Sequence, residues 1–202
     1  MPEEIIHHKR IPRGLRDHIA HRFVRIAAGF ADMFFREHYG HRAVVLETIA
    51  GVPGMVGALL LHLKSLRRIQ DDRGWIESLV HEAVNERFHL MVYVQITKPT
   101  FVERGFIIVA QIFFFIGYFI IYLISPKTGH RIVGYLEEEA VESYTSYLKR
   151  IEAKPEKNVP APLIAIRYWN LSPDARLLDV IRATREDEVT HRDRNHRFAD
   201  EY

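Results

Sequence analysis

Apolar residues recur at helical spacing along most of the chain, and proline and glycine separate the stretches. Between 15 and 38, Ile19, Phe23, Ile26, Phe30 and Phe34 follow one another at steps of four and three. That is the stripe of an amphipathic helix, with Arg16, Arg22, Arg25 and Arg36 off or beside it. A second helix is predicted over about 42–68, "LETIAGVPGMVGALLLHLKSLRRI", where Pro53 implies a local kink and Gly51 and Gly54 allow close packing. "QDDRG" reads as a turn, and a third helix over 74–97 stops at Lys98-Pro99. The fourth, 101–124, contains the run "GFIIVAQIFFFIGYFIIYLI" and closes at Ser125-Pro126. A fifth covers 129–151. After the proline-rich loop "AKPEKNVPAPL", a last helix is predicted over 174–200, capped by Ser172 with Pro173 at its first position. No strand pattern, internal repeat or low-complexity tract accompanies these. The class is all-α, one helical domain over 1–202: a leader and basic amphipathic helix over 1–39, then a bundle over 40–202.

Composition narrows the chemistry. The chain has 202 residues, a net charge of +2, 12 histidines and no cysteine. Disulfides, thiolate metal sites and iron–sulfur clusters are excluded, so any metal must be held by Glu, Asp and His. The start, "MPEEIIHHKR", is acidic then basic without an apolar core, so neither a secretory signal nor an organelle leader is expected there. No nucleic-acid partner is expected.

"YLEEEAVESY" at 135–144 places three glutamates side by side. Neighbours on a helix point about 100° apart, so the three cannot share one interior. Glu137 shares its face with Val133, Ala140, Val141, Tyr144 and Leu148. Glu138 shares its face with Glu142, Thr145 and Lys149, and Glu139 with Ser143, Ser146 and Arg150. Glu137 is therefore read as inward, Glu138 as solvated and Glu139 as intermediate. An inward carboxylate must be neutralised, paired or metal-bound.

Two partners share a spacing. "NERFHL" supplies Glu86 and His89, and "DEVTH" supplies Glu188 and His191. Glu-x-x-His puts both side chains on one helix face, and alone it is a weak signal that usually marks an exposed polar pair. A third match, Glu4–His7, falls in a segment not expected to be helical. Position strengthens the other two. On the last helix Leu177, Ile181, Thr184, Glu188, His191, Asn195 and Phe198 form one stripe, and Glu47 is the sole charge of "VLETIAG". Two helices with Glu-x-x-His and two with one inward Glu are the inventory of a carboxylate-bridged di-iron or di-manganese bundle of the ferritin-like kind.

"LETIAGVPGMVGALLLHLKSLRR", "NERFHLM", "GYLEEEAVESY", "YWNLSPDA" and "EDEVTHRDRNHRFAD" resemble, in order and spacing, the alternative oxidases, cyanide-insensitive di-iron quinol oxidases. The likeness runs from about residue 40 to the end, and the first 35 residues match in character only. The resemblance implies two irons per chain on Glu47, Glu86, His89, Glu137, Glu188 and His191, and a redox role for Tyr144. It further implies Asn85, Asp187, Tyr122, His130 and Trp169 as hydrogen-bonded surroundings of the site. Arg42, Leu46, Leu136, Glu139 and Ser143 would line the quinone pocket. Ser143 replaces a common threonine, and Arg-Glu-Asp-Glu replaces Arg-Ala-Asp-Glu in the last motif. Neither departure touches a ligand.

The resulting expectation is a non-proton-pumping ubiquinol:oxygen oxidoreductase of bacterial type. A plastid-type terminal oxidase, a quinone-linked monooxygenase, a ferritin-like iron store and a helical scaffold are the alternatives. The run 105–124 is long enough to span a bilayer at ~30 Å. Glu86 and His89 precede it and Glu137 follows it, so a single crossing would separate residues that must meet. A monotopic protein is expected instead, with the first and fourth helices dipping into one leaflet and Arg16, Arg22 and Arg25 at the headgroups. The face would be cytoplasmic in a bacterium or the matrix side in a mitochondrion. A homodimer is implied by resemblance, with His62, Arg67, Asp72, Arg87 and Gln111 near the partner.

Overall fold

The proline and glycine punctuation translates into eight α-helices in a computed structural model that describes residues 1–35 and 38–202. They are α1 (Glu3–Ile6), α2 (Gly14–Phe35), α3 (Tyr39–Arg68), α4 (Trp75–Thr97), α5 (Phe101–Ile124), α6 (Pro126–Glu152), α7 (Leu163–Tyr168) and α8 (Leu177–Glu201). Arg36 and the side chains of the stripe residues Phe30 and Phe34 lie outside the described part. Among the described residues there is no strand, only one bridge between Pro160 and Arg176. The fold is all-α, with α3, α4, α6 and α8 as the bundle and α2 and α5 laid on its outside.

Local chemistry sets the ends. Thr100 Oγ1 accepts from Glu103 N at 3.2 Å and Glu103 Oε2 accepts from Thr100 N at 2.7 Å. This reciprocal cap starts α5 and stabilises it by about 1 kcal/mol. Ser125 closes α5 and its Oγ accepts from Thr128 N at 3.3 Å. With Pro126 in the first turn, α6 begins there, three residues before the predicted 129. The last helix starts later than the predicted 174. Ala161 N donates to Ala175 O at 2.9 Å and Leu177 N to Val159 O at 2.8 Å. Those bonds hold the chain out of helix until Leu177, and Ser172 caps a turn with Asp174 instead. The loop after α6 contains a 3-10 turn (Pro155–Lys157) and α7, neither of which its prolines announced.

Apolar plugs close the bundle at both ends. Val44, Tyr144, Leu148, Leu177 and Ile181 pack at one end, and Leu61, Leu79 and Phe198 with Trp75 at the other. Each fully buried large side chain contributes roughly 1.5–3 kcal/mol. Helices approach closely where glycine permits. A Cβ on Gly54 would lie 2.5 Å from the Leu79 carbonyl of α4, and one on Gly134 would lie 2.5 Å from the His196 ring of α8. The N-terminal segment straps across α6 and α8. Ile6 is buried between Val141 and Val189, and Arg192 donates to the carbonyls of Ile5 and Ile6, both at 2.8 Å.

That strap and Gly134 overturn one expectation. Glu138 is 6% exposed, not solvated. Its Oε1 accepts from His196 Nε2 at 2.9 Å and from Arg10 N at 2.8 Å. His196 reaches it across the gap that Gly134 leaves, so Glu138 is a buried structural carboxylate.

Candidate metal centre

Four of the sequence-assigned residues converge in the middle of the bundle. Glu47 of α3, Glu86 and His89 of α4, and Glu188 of α8 each present a ligand atom, all within 4.8 Å of one another, and all four are buried. His191 joins them, with Nδ1 2.6 Å from Glu86 Oε1 and 3.3 Å from Glu188 Oε2. Glu137 of α6 stands beside them, facing Glu188, and is 4% exposed. The three-residue spacing within α4 and α8 does what the helical period predicts, turning Glu and His of each pair to the same face.

The hydrogen bonds around His89 define its protonation. Asp187 Oδ2 takes His89 Nε2 at 3.0 Å, Asn85 Nδ2 at 2.9 Å and Trp169 Nε1 at 2.8 Å. With Nε2–H donated there, Nδ1 is the ring atom turned to the carboxylates, and against the effect of burial their charges hold the ring well above its ordinary value. Nδ1 faces Glu47 Oε2 and Glu188 Oε1, both at 3.2 Å, and Glu86 Oε2 at 3.6 Å. A nitrogen and three carboxylate oxygens converging in this way can share either a proton or a metal cation. Both carboxylate oxygens of Glu86, both of Glu188, and His191 Nδ1 are buried and close to one another, yet none makes a well-directed hydrogen bond among the described residues. Donor atoms around one ion at about 2.1 Å stand about 3 Å apart, which is the spacing found. Buried polar atoms left unpaired in this way fit a metal site.

Electrostatics agree with that reading. Burial first, then the charges of Glu188 and Glu86, push the carboxyls of Glu47 and Glu137 well above the ordinary range. Burial also opposes ionisation of Glu86, yet His191 and His89 hold its carboxyl well below it. A bound cation would relieve the first two and replace the partner of the third.

Tyr144 donates to Glu47 Oε1 and stacks on Tyr93 at 5.6 Å. Burial and the Glu47 charge keep its phenol protonated, well above 10. Asn85, Asp187 and Trp169 form a hydrogen-bonded group beside His89. Tyr122 and His130 sit one layer away: Tyr122 donates to His130 Nε2 and His130 Nδ1 donates to Asn195 Oδ1, both at 2.9 Å. Burial pushes His130 down to about 4.

Glu137 faces two ways. Beside the cluster lies an apolar cavity of about 180 Å³ whose wall includes Glu137 together with Arg42, Leu46, Leu136 and Glu139. Small residues of α2, Ala27, Ala28 and Ala31, close its outer side. Ser143 does not line it; Ser143 lines an adjoining polar cavity of about 280 Å³ that shares Arg42 and Glu139. Arg42 pairs with Asp32, and the exposed Arg25 pairs with Glu139 at 2.8 Å. Sequence reasoning missed Glu82, buried one turn before Glu86; its place on the Glu86 face was a readable signal.

A buried Glu/His cluster on four helices is shared by several kinds of protein, and sequence comparison separates them. The profile of the family described as alternative oxidase matches residues 2–200. The chain belongs to the alternative oxidase family. The match reaches the N-terminal strap, which motif reading from residue 40 had left aside. Ubiquinol oxidase 2, mitochondrial, of Glycine max is 53% identical over 194 residues, 96% of this chain and 58% of that protein. Ubiquinol oxidase, mitochondrial, of Batrachochytrium dendrobatidis is 52% identical over 191 residues, 95% of this chain and 60% of that protein. Ubiquinol oxidase 1a, mitochondrial, of Arabidopsis thaliana is 52% identical over 194 residues, 96% and 54%. The chain therefore spans a little over half the length of these relatives. The family and the orphaned donors agree on a metal site in this alternative oxidase bundle.

Proposed function

We propose that this alternative oxidase chain oxidises ubiquinol and reduces dioxygen to water at a di-iron centre, without moving protons across a membrane. The observation that carries the reading is the double placement of Glu137, which is both a wall of the apolar cavity and a member of the buried Glu/His cluster. Glu47, Glu86, His89, Glu137, Glu188 and His191 would hold two irons per chain. When bound, such a pair supplies the redox chemistry of dioxygen reduction. The remaining work falls to the protein. Leu46 and Leu136 seat the apolar part of a quinol, while Arg42 and Glu139 stand where its ring hydroxyls would meet the polar cavity. Ser143 belongs to that polar side. Asp187 holds the His89 tautomer, and Tyr144 keeps its phenolic proton, directed at Glu47, available as hydrogen donor. The apolar plugs exclude water. Two quinols per dioxygen balance the reaction, giving two quinones and two waters.

The exposed face of α5 supports a monotopic seat in one leaflet. Only 17% of its most apolar window is buried, against 50% for α3, and Ile19, Phe23 and Ile26 of α2 also face outward. We assign the protein to the surface of an energy-transducing membrane, the cytoplasmic face in a bacterium or the matrix face in a mitochondrion. The exposed Met55, Leu59, Leu63 and Leu66 of α3 support a homodimer near His62 and Arg67, which sedimentation in mild detergent tests. Oxygen uptake by the purified chain with a short-chain ubiquinol and cyanide tests the activity. Uptake at a ratio of two quinols per dioxygen is expected, and none in an iron-loaded sample overturns it.

A further inference from the structure

α4 and α8 run antiparallel in a register that sets Glu86 against His191 and His89 against Glu188, at 2.6 Å and 3.2 Å. One helical turn away on either side, the same helices are tied again by side chains outside the proposed ligand set. On one side, Asn195 Nδ2 donates to Glu82 Oε1 at 2.8 Å and to the His191 carbonyl at 3.0 Å. On the other, the Tyr93 hydroxyl donates to Thr184 Oγ1 at 3.2 Å. Glu82 and Tyr93 each lie four residues from a ligand on α4, and Asn195 and Thr184 four from a ligand on α8. All four are between 0% and 2% exposed. Each tie also reaches further helices. His130 of α6, itself bonded to Tyr122 of α5, donates to Asn195 Oδ1. Tyr93 stacks on Tyr144 of α6, whose hydroxyl meets Glu47 of α3.

We propose that Glu82–Asn195 and Tyr93–Thr184 are positioning pairs that lock the register and spacing of α4 and α8 at the ligand layer. Four carboxyl groups and two imidazoles crowd this layer, and apolar packing alone resists sliding poorly because it has no direction. Hydrogen bonds hold over a narrow range of distance and angle. A slip of one residue would carry a ligand about 1.5 Å along the axis, out of reach of an ion that tolerates a few tenths of an ångström. Two ties, one on each side, prevent both sliding and tilting. Single ties would permit tilting.

This inference rests on the metal reading, and the experiment separates the two. The full chain is loaded with ferrous iron, and iron loss to a ferrous chelator is timed for the wild type and for Glu82→Leu, Asn195→Leu, the double variant, Glu82→Gln, Tyr93→Phe and Thr184→Val. Circular dichroism checks the helix content of each. Glu82→Leu and Asn195→Leu should release iron about 10–100-fold faster, as loss of ligand-supporting groups does, and the double variant no faster than either single one. Glu82→Gln keeps an acceptor for Asn195 and should stay near the wild-type rate. Tyr93→Phe and Thr184→Val, which fill nearly the same space, should each speed release. Where a leucine variant fails to fold, the hydroxyl-deletion pair decides. Folded variants that keep iron as long as the wild type overturn the proposal. A wild type that takes up no iron overturns the metal reading itself.

Discussion

From Glu188 to Asn195, α8 hides Glu188, His191, Arg192 and Asn195 from solvent. α5, the most apolar helix of the chain, leaves Phe106, Phe113 and Leu123 more than 60% exposed. Composition and burial are thus inverted between these two regions. Polar residues stay inside where each has a partner on another helix or where several converge on a place for a cation. Apolar residues stay outside where none of the described residues covers them, and such a patch marks an interaction surface. The interior of this protein is selected by partnership, and its outer face by the medium.

The strongest way to break the comparison is to remove one interior carboxylate and ask what leaves with it. Glu137→Ala should lose iron and all turnover, read by metal analysis and oxygen uptake. Glu138→Ala, one residue on and equally buried, should keep its iron and lose about 1–3 kcal/mol of stability, because His196 and Arg10 N are left without their acceptor. Equal iron in both variants would remove the distinction between the two inward glutamates.

Tyr144→Phe sharpens the interior side further. It should retain iron and fold while turnover falls on the order of 10²-fold, the scale of a lost proton-transfer group. Full turnover in the folded, iron-loaded variant would make Tyr144 a core residue.

Phe113→Asp tests the outer face. The residue is 73% exposed, so stability should change by less than about 0.5 kcal/mol. Partition onto phospholipid vesicles should fall roughly 30-fold, from the loss of about 2 kcal/mol of apolar burial. In oriented vesicles, cysteines at 98 and 127 should be labelled from one side, and labelling from opposite sides would mean that α5 spans.

Acid should have the smallest effect. Burial holds His130 down to about 4 and His196 below its ordinary value. Both must stay neutral in the fold, His196 because its Nδ1 accepts from Arg131 at 2.9 Å. Protons bind the unfolded histidines first, so their contribution is complete above about pH 6.5 and is lost as pH falls toward 4. Denaturation midpoints at pH 7.5 and 5 should therefore differ less in His196→Gln than in the wild type.

Much of the interior was legible before any fold was known. Glu86 with His89, and Glu188 with His191, reveal themselves because a three-residue step on a helix always shares a face. Glu137 separates from Glu139 because its neighbours at the helical period are apolar. Local geometry settles such questions, since backbone period needs no knowledge of other helices. Glu138 was misread for the complementary reason. The strap at Arg10, the ring of His196 and the gap at Gly134 that admits it lie far apart in the chain, and only their meeting buries that carboxylate. The pairing of Glu82 with Asn195 and of Tyr93 with Thr184 likewise needs the register of two helices separated by α5, α6 and α7. The place of Ser143 in the polar cavity and the pairing of Arg25 with Glu139 also depend on how α2, α3 and α6 meet. Period along one helix is a property of sequence; what covers a face, and at what register, is decided by contacts that only the folded chain brings together.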